Sequence, residues 1–213
     1  HKRVGNNDSG PNTGGMGAYS PAPVVTADVY AKVMNEIINP TLQGMAKDGI
    51  PYRGFLYAGL MIDKHGQPRV VEFNCRFGDP ETQPIMMRMK SDLVELCLKA
   101  CEDGGLKNCK AEYDKRPAVG VVLAAAGYPA SPRKGDVISG LDTTHGEDVK
   151  IFEAGTKFKD GNIVTSGGRV LCATALGQDI QDARNKAYEL IKSVNFDGMF
   201  YRNDIAWRAI NRK

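Results

Sequence analysis

Glu72, Asn74 and Arg76 place a carboxylate, an amide and a guanidinium at alternate positions. Asp79, Glu81 and Thr82 follow within one turn shaped by Pro80. In an extended chain alternate side chains share a face, so the first three stand in one line. Glu72 and Asn74 then lie about 7 Å apart along the strand, and a divalent cation between them can touch both. Both offer hard oxygens, which suits Mg2+, an ion that keeps several waters and completes its shell with substrate phosphates. Arg76 can grip a phosphate or carboxylate with its planar fork. These are the parts of a phosphoryl-transfer site, where positioning and charge neutralisation dominate. The pattern alone also fits a solvated strand face with an incidental ion pair. Two more carboxylates beside an arginine, Asp79 and Glu81, shift the balance toward binding. The intervening Val71, Phe73 and Cys75 are expected to face a core.

The stretch GPNTGGMG, residues 10–17, is the second candidate. Its four glycines allow a backbone to approach a ligand closely, and exposed N–H groups in such a loop can form an anion-binding concavity. No G-K-[ST] follows, so it is not a Walker loop, and no strand-turn-helix context makes it a dinucleotide fingerprint. A flexible surface loop is the alternative, and composition leaves the choice open. His1, Lys2 and Arg3 add positive charge just before it.

The elements that must carry these residues are readable in outline. Residues 5–23 form a long loop. Thr26 can cap a helix through residues 27–49, with Val29, Val33, Ile37 and Ile38 on one face and Pro40 as a possible kink. GFLYAGLMID and PRVVEFNC are strands joined by KHGQ as a hairpin, and Asp63 ends the first. SDLVELCLKACEDG is a helix with Ser91 as N-cap and Gly104 or Gly105 as stop. The polar run 103–116 marks a boundary. We therefore expect residues 1–106 as one domain, 107–116 as a linker and 117–213 as a small α+β domain. In the latter, AVGVVLAAAGYP is a buried strand, and DVISG, VKIFEAGTK, NIVTSGG and RVLCATALG are further strands. A helix capped by Asp179 follows, and GMFYRNDIAWRAI is extended and then helical.

Composition narrows the function classes. The 213 residues are 42% hydrophobic and 25% charged, which is ordinary for a globular protein. A net charge of +3 is too small to imply nucleic acid by itself. No apolar run is long enough to span a bilayer. The five cysteines lack zinc-ribbon or redox-motif spacing, so reduced thiols in a cytoplasmic protein are expected. The scattered tyrosines and Met86, Met87 and Met89 read as packing. His65 and His145 read as surface residues and PRKGD as a solvated turn. The abrupt start at HKRVG reads as the continuation of a longer protein.

Taken together, HKRVGNNDSGPNTGGMGAYSPAP, GFLYAGLMID, EFNCRFGDPETQPIM and GGRVLCATALG resemble the phosphoribosylamine–glycine ligase (glycinamide ribonucleotide synthetase) family, over essentially the whole chain and in its C-terminal half. The resemblance implies the C-terminal part of an ATP-grasp domain, an antiparallel sheet with helices, followed by a small α+β domain. It implies a ligase of purine biosynthesis that joins glycine to 5-phosphoribosylamine with ATP, through an acyl phosphate of glycine. On that resemblance Glu72 and Asn74 are Mg2+ or Mn2+ ligands, and Arg76 stabilises the transferring phosphoryl group or the acyl phosphate. Lys2, Arg3, Asn12, Thr13, Gly14, Gly15, Asp79, Glu81 and Thr82 lie on the substrate side. It also implies an N-terminal half that these residues do not include, so the isolated chain is expected not to turn over. A non-catalytic nucleotide- or metal-binding module, or another ATP-grasp carboxylate–amine ligase, are the alternatives.

Overall fold

The computed structural model describes residues 1–142 and 146–212. In chain order the strands are β1 (Arg3–Gly5), β2 (Ser9–Asn12), β3 (Gly17–Ser20), β4 (Tyr57–Ile62), β5 (Pro68–Asn74), β6 (Ala118–Ala124), β7 (Val149–Glu153), β8 (Thr156–Lys159), β9 (Asn162–Thr165) and β10 (Arg169–Leu176). The helices are α1 (Ala27–Lys32), α2 (Asn39–Lys47), α3 (Thr82–Arg88), α4 (Leu93–Ala100), α5 (Ile180–Ile191) and α6 (Trp207–Ile210). The chain is α+β with antiparallel pairing throughout its sheets. It divides into two compact units. One holds residues 1–20, 79–88 and 114 onward, and the other holds 21–78 and 89–113.

The first unit is built on a four-stranded sheet in the order β3-β6-β10-β7. Every residue of β6 is buried, as is β10 from Val170 onward. Such continuous burial requires cover on both faces, and it accounts for the unbroken apolar run AVGVVLA. On one face Val119, Val121 and Leu123 pair with Ala175, Ala173 and Leu171 and join Ala183, Ala187, Leu190 and Ile191 of α5 in one core cluster. The other face carries Gly120 beside Cys172, and the absent Gly120 side chain makes room for Pro84 of α3. Helix α5 begins where expected, with the Asp179 carboxylate accepting from the Asp182 N–H at 2.8 Å. Its buried positions 183, 187, 190 and 191 follow the helical period.

The N-terminal segment of this unit is fastened by an ion cluster. Arg202, only 1% exposed, donates to Asp8 at 3.1 Å, to Asp204 at 2.8 and 2.9 Å, and to the Arg3 carbonyl at 3.1 Å. The Asn7 N–H adds a bond to Asp204, and the Asn203 N–H one to the Asn6 side chain. Burial favours the neutral carboxyl at Asp8 and Asp204 and is the largest single influence, but Arg202 together with Arg208 at Asp8, and Arg202 together with the Asn7 N–H at Asp204, outweigh it and lower both.

The second unit contains α1, α2, the β4–β5 hairpin and α4. Thr26 caps α1 by accepting from the Val29 N–H. Residues 33–38 between α1 and α2 widen into π-helical turns immediately before Pro40, whose ring crowds the carbonyl four residues back. The hairpin forms as expected, and Asp63 shapes its turn by accepting from the His65 and Gln67 N–H groups.

Several expectations fail. Val71, Phe73 and Cys75 face no core: Val71 is 67% exposed, Phe73 40%, and Cys75 is also exposed. The hairpin is a separate two-stranded sheet, and alternation alone cannot say whether anything lies against it. Helix α4 is capped by Asp92 rather than Ser91, whose hydroxyl accepts from the Glu112 N–H instead. It ends at Ala100, before Gly104. DVISG makes only isolated bridges, Val137 to Val164 and Ser139 to Asn195. His145 lies outside the described residues, while His65 is exposed, as expected.

Candidate functional site

Glu72 and Asn74 sit on the same face of β5, opposite Gly59 and Tyr57 of β4. A Cβ built on Gly59 would come within 3.0 Å of the Glu72 Cγ, so glycine there leaves space for that carboxylate. The face is reachable: Glu72 is exposed and Asn74 partly so. The pair offers hard oxygens of the kind a divalent cation takes, on one accessible strand face. Arg76 follows in the chain, exposed, with its guanidinium donating to the Phe77 carbonyl at 2.8 Å.

In the first unit the glycine stretch is neither floppy nor a cradle of free donors. The Thr13 N–H bonds the Lys2 carbonyl, the Gly14 N–H the Tyr128 hydroxyl, the Gly15 N–H the Thr13 hydroxyl, and the Met16 N–H the His1 carbonyl, all within 2.8–2.9 Å. Four successive donors are thus consumed internally, and the anion-binding concavity that glycine content suggested does not form. The glycines serve close packing instead. A Cβ on Gly14 would lie 2.7 Å from the Arg169 guanidinium carbon, and one on Gly15 would lie 2.5 Å from Pro80 Cδ. Gly15 also has a φ of +126°, which L side chains rarely adopt.

Asp79 and Pro80 meet this loop through Arg169. The Arg169 Nη1 donates to the Asp79 carbonyl at 2.8 Å and its Nη2 to the Asp79 carboxylate at 3.1 Å. A longer 3.5 Å bond reaches the Gly15 carbonyl. Glu81 and Thr82 enter α3, with the Glu81 carbonyl accepting from the Ile85 N–H. Lys2 contributes a carbonyl that accepts from both the Thr13 N–H and its hydroxyl. Arg3 bonds the Gly10 carbonyl at 2.7 Å, and Asn12 pairs with Arg3 across β1 and β2.

Sequence reasoning missed Arg169 and Tyr128. Arg169 opens β10 straight after Gly167 and Gly168, and Tyr128 lies half-buried in the turn four residues beyond the end of β6. Two glycines before an arginine at a strand start could have signalled a crowded approach. A Cβ on Gly168 would fall 2.2 Å from Tyr128 Cδ2, so the ring lies directly over that glycine.

Comparison with known proteins gives this arrangement a context. The family described as phosphoribosylglycinamide synthetase matches twice, its ATP-grasp (A) domain over residues 1–82 and its C domain over residues 118–208. A Vibrio vulnificus protein called phosphoribosylamine–glycine ligase is 64% identical across all of this chain, which covers 49% of that relative. The crystal structure of the Thermotoga maritima phosphoribosylamine–glycine ligase superposes on 96% of this chain, with a TM-score of 0.80 and 43% identity, over 50% of its own length. Biotin carboxylase from Campylobacter jejuni, 13% identical with a TM-score of 0.61 over 87% of this chain and 40% of its own, shares the fold alone. The chain spans about half the length of the curated relatives it matches.

Proposed function

Because this chain belongs to the phosphoribosylglycinamide synthetase family, we propose that it is the C-terminal half of an ATP-dependent ligase that joins glycine to 5-phosphoribosylamine. The observation that carries this reading is the placement of Glu72 and Asn74 on one face of β5 with space kept by Gly59. The family matches end at residue 82 and resume at 118, which brackets the division proposed between residues 1–106 and 117–213 with a linker at 107–116, while residues 1–20 belong to one compact unit with 114 onward.

The glycine carboxylate attacks the γ-phosphorus of ATP and ADP leaves, giving an acyl phosphate. The amine of phosphoribosylamine then attacks the acyl carbon, phosphate leaves, and a proton is lost from nitrogen as the amide forms. Glu72 and Asn74 would hold Mg2+ or Mn2+, which when bound would neutralise charge on the phosphates. Arg76 brings a guanidinium to the transferring phosphoryl group. Lys2, Arg3, Asn12, Thr13, Gly14, Gly15, Asp79, Glu81 and Thr82 are assigned to the substrate side. The adenine clamp is assigned to the other half of the enzyme, so the isolated chain does not turn over. A cytoplasmic location accords with this pathway; among the described residues no helix is long and apolar enough to cross a membrane.

The test is ADP release by the full-length parent with ATP, Mg2+, glycine and phosphoribosylamine made in situ, with each substrate omitted in turn. Release that requires every substrate and collapses in Glu72→Gln supports the reading. Release that ignores glycine, or a silent Glu72→Gln, overturns it in favour of a different amine ligase or a binding module.

A further inference from the structure

We propose that Arg169 and Tyr128 are positioning residues that fix the glycine stretch and the Asp79–Pro80 turn, and through them the reactivity of the ligase proposed above, on which the kinetic part of this inference rests. Four observations within one compact unit converge on it. Arg169 holds Asp79 at both its carbonyl and its carboxylate, with the Gly15 carbonyl in reach. Tyr128 takes the Gly14 N–H at 2.9 Å. Gly14 and Gly15 have no room for a Cβ, because Arg169 and Pro80 occupy that space. Gly168, next to Arg169, is capped by the Tyr128 ring in the same way.

The geometry explains why arginine is used. One guanidinium donates in two directions, to a backbone carbonyl and to a carboxylate, from a plane that slides over a bare Gly14. A lysine ammonium keeps the charge but cannot hold that fork. The Arg169 side chain is 21% exposed and the Asp79 side chain 49%, so the pair sits at a surface open to solvent rather than in a core. Removing it disturbs where Asp79 points more than whether the sheet folds. Neither residue need touch a substrate for this role.

The experiment uses the full-length enzyme with Arg169→Lys, Arg169→Gln and Tyr128→Phe. Amide hydrogen exchange is followed over residues 12–17 and 78–82, alongside kcat and KM for each substrate. Tyr128→Phe removes one oxygen, so it is the variant least able to unfold the protein. It is expected to speed exchange at Gly14 by about 10-fold, the loss of one hydrogen bond. Arg169→Gln is expected to lower kcat/KM at an unchanged melting midpoint, with Arg169→Lys retaining the charge yet failing to restore it. A merely structural role would instead lower the midpoint while leaving kcat and KM of the folded fraction intact. Unchanged exchange in Tyr128→Phe, or both Arg169 variants within about two-fold of wild type in kcat/KM, overturns the inference. If the wild-type enzyme shows no substrate-dependent ADP release, the ligase reading fails and the exchange result alone decides the positioning role.

Discussion

Arg169 Nη2 lies 3.1 Å from Asp79 Oδ2, joining the first residue of β10 to the residue that precedes Pro80, 90 positions earlier in the chain. The same guanidinium covers Gly14. Three stretches that sequence reading treated separately, the glycine stretch, the turn at Pro80 and the strand RVLCATAL, therefore meet around one side chain.

If Arg76 meets charge developing on a phosphoryl group, Arg76→Ala in the full-length enzyme should lower kcat by about 100- to 1,000-fold, the range for removing one preorganised donor. Steady-state ADP release gives kcat. A loss confined to KM would assign Arg76 to ground-state binding alone.

Gly15→Ala should be costly. Its Cβ would lie 2.5 Å from Pro80 Cδ, at a φ of +126°. Strain and overpacking together should remove about 3 kcal/mol of stability. Gly44→Ala in α2 meets nothing within 4 Å and should instead stabilise by about 0.8 kcal/mol. Denaturant titration of both variants compares a crowded glycine with an idle one.

Removing Arg202 leaves Asp204, 18% exposed, without its cation, and leaves Asp8, 24% exposed, with Arg208 alone. Arg202→Ala should cost about 3 kcal/mol, the low end for breaking a buried pair. The sign of the pH dependence follows from the direction of the shifts. Both carboxyls titrate below the ordinary 3.8, because Arg202 combined with Arg208 at Asp8, and with the Asn7 N–H at Asp204, outweighs burial. The stability they provide is complete above pH 3.8 and is lost as pH falls through the lowered values. Asp204→Asn should flatten that acid limb in a series of urea midpoints, while leaving the slope between pH 5 and 7 unaltered.

Cys172 is buried on β10 beside Gly120 of β6, and burial pushes its thiol up to about 12. At pH 8 it should resist alkylation until the protein unfolds. Cys75 and Cys101 are exposed and should label first, as peptide mapping after timed iodoacetamide treatment would show.

Local signals in the sequence were enough for the hairpin, the Thr26 and Asp179 caps, the buried AVGVVLA strand and the α+β class. Each of these rests on patterns within a dozen residues. What stayed hidden depends on contacts between distant segments. Glycine content at 10–17 was compatible with both a mobile loop and an anion cradle. The partners of Thr13, Gly14 and Met16, which include Tyr128 far along the chain, exclude both. Alternation at 70–75 predicted one buried face, but it carries no information about whether a second layer exists, and Val71 and Phe73 are exposed. Arg202 was unremarkable in sequence because its ligands lie near residues 8 and 204, one of them 194 positions away.

The Arg202–Asp8 bond also orders events in time. Residues 1–20 belong to a unit whose remaining parts lie at 79–88 and from 114 onward, while the other unit is complete at Tyr113. At a synthesis rate of about 5–20 residues per second, Arg202 follows Tyr113 by about 5–20 s. Through that interval the first residues of this chain have left the ribosome without the arginine that holds them. Closing a loop of this length comes late and slowly. A nascent chain halted between Tyr113 and Arg202 should therefore be cut by protease within residues 1–20, and become resistant there once Asp204 has emerged.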